Sequence, residues 1–277
     1  MLISTYNRPD ALHVCLDSIY KQTVLPDEVL ICDDGSTDET TQLIEEMRNK
    51  MPFPLIHVWH EDKGFRKAMI LNKAITIATG NYIIAIDGDI FCHRKFIEDH
   101  LREAKIGYYI RGCRVSLTPK ATNHICKEKR APTIHFYSKM IHHKPENALR
   151  NCLLSHFLST RYSNSKHSLY GCNCSFFRDD FIRVNDYDES FEGWGSEDAE
   201  LGYRFYNIGL RRRFLKFSAI CFHLWHKEVD KSKEKNNEKL AELSEKNNTQ
   251  WCMNGIDKYL HNIKSQELSL KSKRIII

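Results

Sequence analysis

The sequence lacks any apolar run long enough to cross a membrane, because runs such as residues 82–86 stop far short of the ~20 residues that a spanning helix needs. Its first residues also lack a basic segment followed by an apolar stretch, so no secretory signal is visible. The remaining composition, 42% apolar and 28% charged among 277 residues, is ordinary for a globular protein and excludes collagen-like and disordered classes. We therefore expect a cytoplasmic globular protein.

Neither sign of charge dominates, since 41 basic and 36 acidic residues leave a net charge of +5. This mild excess fits an anionic small substrate or an anionic lipid surface, and it argues against nucleic acid as a partner. Residues 271–277 pair basic with apolar side chains, which predicts weak, reversible attachment to the cytoplasmic face of a membrane. A disordered chain end explains the same residues equally well.

The ten cysteines show no metal-site spacing. Cys172 and Cys174 form a C-x-C pair, but no second Cys/His pair stands at the distance that a structural zinc site requires. In the absence of a secretory signal, we predict that these thiols are reduced.

The first hundred residues alternate between short apolar runs and helical periodicity. The apolar runs that predict strands are residues 2–5, 29–32, 55–59 and 82–86. Between them, helices are predicted to begin near Pro9, near Asp38 and at Lys67. This order predicts an α/β fold, a Rossmann-like and mostly parallel sheet with helices on both faces. Such sheets bind ligands at the carboxyl ends of their strands.

The rest of the chain is less regular. Residues 107–170 show no clean period, and we expect an irregular, partly mobile region that faces the substrate. Residues 230–248 form a polar run that predicts a solvated helix or a flexible extension. We divide the chain into a nucleotide-binding half (1–106), an acceptor and catalytic half of the same domain (107–229), and a polar helical C-terminal extension (230–277).

Two acidic turns follow predicted strands. Asp87-Gly88-Asp89 offers two carboxylates for a divalent cation, and Gly88 lets a ligand approach the backbone. Asp33 and Asp34 can accept a hydrogen bond from a nucleobase. Each turn alone is explained as well by capping carboxylates. Their common position at strand ends favours a binding site.

A third motif, residues 193–198, places Trp194 between two glycines and before two acids. An indole stacks well on the apolar face of a sugar. Glu197 or Asp198 can remove a proton from an attacking hydroxyl. Acids that favour the dipole of the following helix are the simpler alternative, but they do not explain the Gly-Trp-Gly.

Two histidines follow a strand-like run near residue 222. A neutral imidazole is a common metal ligand, although most of the 14 histidines must be structural. His223 is favoured by its position after the acidic helix, and His226 is the alternative.

Six motifs stand in a fixed order: S-T-Y-N-R-P, D-D-G-S-T-D, H-E-D-K-G-F-R-K-A-M-I-L-N-K-A-I, A-T-G-N-Y-I-I-A-I-D-G-D, G-C-N-C-S-F and G-W-G-S-E-D-A-E-L-G-Y-R. Through them, residues 1–230 resemble the family 2 glycosyltransferases of the GT-A fold, especially bacterial surface-polysaccharide transferases and chondroitin-polymerase-like modules. The last motif also resembles the acidic segment of β-1,4-galactosyltransferases. Because family members have a longer first strand, we expect that the start of this sequence is clipped.

The resemblance assigns a first group of residues to the nucleotide and its cation. Those implied to border the nucleotide are Thr5, Tyr6, Arg8, Asp33, Asp34, Arg66 and Asn72. Asp87 and Asp89, around Gly88, match the D-x-D motif that holds Mn²⁺ or Mg²⁺, with Asp89 the more direct ligand. His223 matches a later metal ligand.

A second group is implied to face the sugars. Gly171, Asn173 and Ser175 match a segment near the donor sugar, and Trp194 with Gly195 matches an acceptor-stacking position. Asp198 matches the catalytic base and Glu197 its supporting neighbour. Were Asp198 structural, Asp188 and Glu192 would be the next candidates.

The resemblance implies a metal-dependent inverting transferase, a hexosyltransferase or N-acetylhexosaminyltransferase. Its partners would be a UDP-sugar and a glycan or lipid-linked acceptor in lipopolysaccharide or capsule synthesis. A sugar nucleotidyltransferase is one alternative, but it needs a Gly-rich basic loop near the start, which this sequence lacks. A non-catalytic carbohydrate-binding protein is another, but it could dispense with Asp198 and the D-x-D acids.

Overall fold

The computed structural model describes residues 1–161, 168–227, 230–263 and 274–276. Its strands are β1 (Leu2–Thr5), β2 (Val29–Asp33), β3 (Leu55–Trp59), β4 (Tyr82–Asp87), β5 (Ile90–Cys92), β6 (Tyr108–Arg111), β7 (Val115–Leu117), β8 (Ile141–His143), β9 (Cys174–Phe177), β10 (Arg211–Phe214), β11 (Cys221–His223) and β12 (Arg274–Ile276). Its α-helices are α1 (Pro9–Tyr20), α2 (Asp38–Arg48), α3 (Lys67–Ile77), α4 (Phe96–Glu103), α5 (Pro119–Glu128), α6 (Cys152–Arg161), α7 (Arg178–Arg183), α8 (Glu197–Asn207), α9 (Glu234–Lys246) and α10 (Asp257–Ile263).

Eight strands form one sheet in the order β10-β6-β9-β4-β1-β2-β3-β12. All of its pairings are parallel except those of β9, which runs antiparallel between β4 and β6. The register aligns Ser4 of β1 with Asp87 of β4, and Thr5 of β1 with Asp33 of β2. The carboxyl ends of three central strands are therefore level, as the sequence predicts.

Both faces of this sheet are buried, which explains the unbroken apolar runs. In β2, Val29 and Ile31 pack into one core cluster, and Leu30 and Cys32 pack into the other. Helices α1, α2 and α4 cover the first face, whereas α3, α7 and α8 cover the second. The predicted α/β class, with a mostly parallel sheet between helices, is confirmed.

The prediction for residues 107–170 needs correction. This region contributes β6 to the large sheet, and β7 and β8 to a second, four-stranded sheet of order β5-β11-β7-β8. It also forms α5 and α6. Strands of three or four residues are too short for a hydrophobic period to be visible in the sequence. The region therefore lacks a clean period in its sequence because its strands are short, not because it is irregular.

The C-terminal extension is only partly helical. Helix α9 forms within the polar run as predicted and packs on α8, while α10 packs on α3. Residues 274–276, in contrast, form β12, which pairs in parallel with β3 and covers what would otherwise be an open sheet edge. Residues 271–273 and 277 of the predicted membrane-attaching tail lie outside the described residues. Among the described helices, none combines the length and hydropathy that a membrane span requires.

Candidate active site

A cavity of about 640 Å³ opens at the carboxyl ends of β1, β2 and β4. Most of the side chains singled out in the sequence line it. They are Thr5, Tyr6, Arg8, Asp34, Asp87, Gly88, Asp89, Gly171, Trp194, Gly195, Glu197, Asp198, His223 and His226. The loops after three sheet strands, the start of α8 and the end of β11 thus meet around one space.

Asp89, His223 and His226 converge on one wall of this cavity, with potential ligand atoms all within 4.8 Å of one another. Asp89 Oδ2 lies 3.5 Å from His223 Nε2 and 3.4 Å from His226 Nε2. The antiparallel pairing of β5 with β11 sets His223 opposite Ile90, next to Asp89. The alternatives that the sequence left open, His223 and His226, therefore lie in the same group.

This group fits a divalent cation. Asp89 Oδ1 is buried and has no hydrogen-bond partner within the described residues. Burial lowers the pKa of His223, which keeps its imidazole neutral and able to donate a lone pair. One carboxylate and two imidazoles are a ligand set that divalent metal ions accept in proteins.

Asp87 stands apart from that group, because its carboxylate is already engaged. Asp87 Oδ1 accepts hydrogen bonds from Ser4 Oγ and from Lys67 Nζ, each at 2.8 Å. Burial would raise the pKa of Asp87, but the Lys67 ammonium outweighs it and holds that pKa below its usual range. Asp87 is therefore not among the residues whose ligand atoms cluster here, and its place around the same ion stays a prediction.

Lys67 is a site residue that the sequence reasoning passed over, although it stands inside the third motif. Its ammonium lies 2.8 Å from Asp87 and 3.9 Å from Glu197 Oε1. Burial opposes its charge, but Asp87, Asp198 and Glu197 raise its pKa well above the usual value. A fixed positive charge therefore stands between the two acidic groups of the cavity.

Asp198 is held by bonds that reach outside its own helix. Its Oδ2 accepts from the backbone N–H of Gly171 at 2.9 Å, and its Oδ1 accepts from the Tyr187 hydroxyl at 3.2 Å. A Cβ atom at Gly171 would stand 2.3 Å from Asp198 Oδ2, so only glycine fits there. These contacts do not match a helix cap, and they aim the carboxylate at the cavity.

Glu197, in contrast, is buried beside Asp198. Burial, and then the neighbouring Asp198 charge, raise the pKa of Glu197 to about 7. Its carboxyl is therefore partly protonated at neutral pH and can donate a hydrogen bond as well as accept one.

This raised pKa predicts that Glu197→Gln stabilises the protein at pH 8 and has little effect at pH 5. The folded state holds the Glu197 proton more tightly than the unfolded chain, whose ordinary pKa is 4.5, so wild-type stability falls as pH rises from 4.5 to about 7. Glutamine does not titrate and escapes this loss, about 3 kcal/mol at 1.36 kcal/mol per pKa unit.

Melting temperatures of the two proteins between pH 5 and 8, without added metal, check this prediction. Glu192→Gln, an exposed carboxyl of the same loop, serves as the matched control and should show a small difference that does not grow with pH. A melting-temperature difference for Glu197→Gln that is constant over this range would contradict the raised pKa.

Four residues predicted to contact the donor do not line the cavity. Asn72 is fully buried, and its amide bonds to the backbone of Tyr187 and to Glu189. Asn173 is fully buried as well, and it donates to the carbonyls of Cys113 and Ala219. Through these hydrogen bonds, both asparagines hold loops of the site in place from the buried side. Their motifs border the cavity, which is why position in sequence suggested contact.

Asp33 is the third such residue. Its side chain is fully buried, accepts from the Ser36 N–H and contacts His57 Nε2 at 2.8 Å. Ser175 is also buried and bonds to the Tyr82 hydroxyl at 2.8 Å. Asp33 thus shapes the turn after β2, whereas Ser175 links β9 to β4.

Asp34 does line the cavity, and its carboxylate is oriented by two neighbours. Its Oδ1 lies 2.6 Å from His60 Nε2, and its Oδ2 accepts from the Arg66 N–H at 2.8 Å. Tyr6 stands nearby and donates its hydroxyl to Asp62 Oδ2 at 2.8 Å. This wall combines an acceptor with an exposed aromatic ring, a suitable surface for a nucleobase.

Trp194 separates the main cavity from an adjoining one of about 380 Å³. Its ring is 37% exposed and lies 5.3 Å from Lys231 Nζ.

The Arg66 side chain and Glu192 border the adjoining cavity rather than the main one. Asp188, the other reserve candidate for a base, accepts from the Ser190 N–H. The carboxyl groups of Asp188 and Glu192 therefore lie outside the main cavity, which Asp198 lines.

Comparisons with known proteins agree on one family. A model of glycosyl transferase family 2 matches residues 1–184, and a model of the N-terminal domain of galactosyltransferase matches residues 153–227. The chain is 28% identical over 232 residues to validoxylamine A glucosyltransferase from Streptomyces hygroscopicus subsp. limoneus, covering 76% of this chain and 48% of that protein.

It is also 25% identical over 238 residues to chondroitin synthase from Escherichia coli, covering 80% of this chain and 34% of that protein. This chain thus spans about half the length of the first relative and a third of the second. The crystal structure of GalNAc-T7 with UDP, GalNAc and Mn²⁺ has the same fold, with a TM-score of 0.61 at 14% identity over 87% of this chain and 46% of that one.

These matches confirm the resemblance seen in the motifs, and the architecture is the GT-A fold. The family model spans the strands whose carboxyl ends form the cavity, and the galactosyltransferase model spans the motif with Trp194, Glu197 and Asp198. This chain therefore belongs to glycosyltransferase family 2.

Proposed function

We propose that this chain is a metal-dependent inverting glycosyltransferase that moves a sugar from a UDP-sugar to a glycan or lipid-linked acceptor in surface-polysaccharide synthesis. One observation carries the proposal: a single cavity has the cluster of Asp89, His223 and His226, which suits a cation, on one wall and a positioned pair of carboxyls on another. A reaction that expels a diphosphate and deprotonates an attacking hydroxyl needs both.

The donor would occupy the side of the cavity formed by the loops after β1 and β2. Asp34 would accept from the uracil imide, and Tyr6 would border the base. Asp89, His223 and His226 would hold Mn²⁺, which when bound neutralises the charge that develops on the leaving diphosphate. Arg8, whose guanidinium lies 3.6 Å from Asp89, would add a second positive charge at this position.

The acceptor would enter from the side of Trp194. Its sugar ring would stack on the indole, and Asp198 would take the proton of the attacking hydroxyl. The hydroxyl oxygen forms the new bond to the anomeric carbon while the bond to the diphosphate breaks. A single displacement of this kind inverts the anomeric centre.

Glu197 and Lys67 would position the reacting groups. A Glu197 carboxyl with a pKa of about 7 can donate a hydrogen bond to an acceptor oxygen, which Asp198 cannot do while it acts as a base. Lys67 keeps Asp87 ionised and limits the repulsion between the two acidic walls. Chondroitin synthase is a polysaccharide-forming relative, and it supports an assignment to polysaccharide synthesis.

The test is to incubate the purified chain with a panel of UDP-sugars and Mn²⁺, with and without oligosaccharide acceptors, and to identify the products. We expect Mn²⁺-dependent release of UDP from at least one donor, faster when an acceptor is present. Release of pyrophosphate from UTP and a sugar phosphate would instead identify a nucleotidyltransferase. Saturable oligosaccharide binding without turnover of any donor would identify a carbohydrate-binding protein.

A further inference from the structure

Helix α6 buries polar side chains and exposes apolar ones, which reverses the usual pattern of a surface helix. It packs on β10, the edge strand of the large sheet, and two of its small polar side chains are buried. Ser155 and Ser159 are fully buried, and the Ser155 hydroxyl bonds to that of Ser218 at 2.5 Å. A helix of a globular protein normally turns its apolar side chains inward and its polar ones toward water.

The large apolar side chains of this segment point to solvent instead. Leu153 is 86% exposed, Phe157 is 51% exposed, and Leu154 is 39% exposed. Leu149, just before the helix, is 36% exposed and stands four residues before Leu153. We define these four residues as the α6 surface. Adjacent exposed apolar side chains of this kind are candidates for an interaction site.

The sequence that contains α6 carries charge of one sign, although buried Asp99 and Glu103 of α4 contact Arg150 and His156. Between Asn147 and Arg178 the sequence contains no aspartate or glutamate. Arg161 ends the helix, and its guanidinium lies 4.3 Å from the ring centre of Phe157. Arg150 lies at the other end, where it also contacts buried Asp99. Apolar side chains flanked by arginines match the interface of an anionic bilayer.

We propose that the α6 surface docks this protein on a membrane that contains anionic lipids. Leu153 and Phe157 would enter the acyl boundary, while Arg161 would contact lipid phosphates. The inference deepens the proposed function, because it supplies the surface from which a lipid-linked acceptor would reach the cavity.

A second copy of this chain is a poorer occupant of the α6 surface. A ten-residue helix is about 15 Å long and about 10 Å wide, which covers on the order of 150 Å². A stable interface needs roughly 800 Å² on each partner. A symmetric contact would also bring the arginines of two copies together, whereas a bilayer with anionic lipids neutralises them.

The chain links the α6 surface to the cavity over a short distance. Leu169, eight residues after Arg161, lines the main cavity together with Tyr170 and Gly171. Eight residues reach at most about 28 Å when fully extended. A bilayer in contact with α6 would therefore lie within reach of the segment that holds Asp198 in place.

The test is co-sedimentation of the full chain with vesicles of 70% phosphatidylcholine and 30% phosphatidylglycerol, and with vesicles of phosphatidylcholine alone. We expect binding to the mixed vesicles and at least tenfold weaker binding to the neutral ones. Leu153→Ser/Phe157→Ser should weaken binding to the mixed vesicles about tenfold or more, and Arg161→Gln about fivefold.

The matched control is Trp251→Ser/Met253→Ser, which removes side chains that are 47% and 90% exposed elsewhere on the surface. It should bind the mixed vesicles like the wild type. Equal loss in both double variants, or unchanged binding of Leu153→Ser/Phe157→Ser, would overturn the proposal. So would self-association in sedimentation velocity that Leu153→Ser/Phe157→Ser abolishes, in a protein that binds no vesicles.

Vesicle binding is measured without any sugar donor, so its result is independent of catalysis. UDP release from a soluble donor by Leu153→Ser/Phe157→Ser should equal that of the wild type. Failure of the membrane proposal would thus appear as normal UDP release without vesicle binding. Failure of the proposed function would appear as vesicle binding without UDP release.

Discussion

Asp198→Asn should lower kcat by about 10²–10⁴-fold or more while the affinity for the donor stays within a few-fold of the wild type. Asparagine keeps the shape of the side chain, but it cannot take a proton from the acceptor hydroxyl, and general-base catalysis typically contributes this factor. Steady-state transfer kinetics and donor titrations on both proteins measure the two quantities.

Two control variants separate a catalytic role of Asp198 from a structural one. Tyr187→Phe removes one hydrogen bond to Asp198 but leaves its carboxylate in place, so it should cost far less turnover than Asp198→Asn. Glu197→Gln should act mainly on the acceptor KM. If Asp198→Asn lowers the melting temperature but retains most of its turnover, the carboxylate is structural. Glu197 would then be the remaining carboxyl beside it in the cavity.

Asp89→Ala should abolish Mn²⁺-dependent transfer and weaken Mn²⁺ binding by more than the 10–100-fold that loss of an outer-shell partner typically costs. The change removes the only carboxylate of the group formed with His223 and His226 in the described residues. It also takes away a charge that is incompletely paired, so the fold should persist. Calorimetric titration with Mn²⁺ and circular dichroism check both expectations.

Asp87→Asn is the matched control for the cation site. Asp87 bonds to Lys67 and Ser4 and stands outside the ligand group, so its variant should retain Mn²⁺ binding within a few-fold. His226→Ala should weaken Mn²⁺ binding, because His226 lies as close to Asp89 as His223 does. Loss of Mn²⁺ binding in Asp87→Asn together with normal binding in His226→Ala would show that the ion is held by the two acids of the turn instead.

The sequence predicted the central sheet well because its information is local. Each apolar run between residues 2 and 87 supplies the buried side chains of both faces of a strand. A turn or a helix cap bounds each run. The four strands of this part lie within one residue of their predicted bounds, and its three helices begin at the predicted positions. β9 was not predicted, because an antiparallel strand of four residues inserted between β4 and β6 is specified by contacts distant in sequence.

The sequence identified many of the residues that line the site, but not the orientation of their side chains. Motif positions identified Asp34, Asp89 and Asp198, which line the cavity. The same positions suggested that Asn72 and Asn173 contact the donor, yet both side chains face inward. Which side chain of a motif turns toward the ligand depends on packing behind the loop, and no spacing rule encodes that packing.

Lys67 and Tyr187 are site residues that the sequence did not identify. Lys67 follows Arg66 in a motif, but its role depends on the distance to Asp87 and Glu197, which only the folded chain defines. Tyr187 carries no motif signal at all, since a tyrosine in an acidic loop has many explanations. Its bond to Asp198 became visible only with the structure.

The most direct test of the central claim, that one cavity wall holds the donor and its cation while the other holds the base, is a calorimetric titration of UDP in the presence of Mn²⁺. It compares the wild type with Asp89→Ala and Asp198→Asn. We expect that Asp198→Asn binds UDP like the wild type and that Asp89→Ala loses the Mn²⁺-dependent part of the affinity. Equal weakening of UDP binding by both variants, or an unchanged Mn²⁺ dependence in Asp89→Ala, would contradict it.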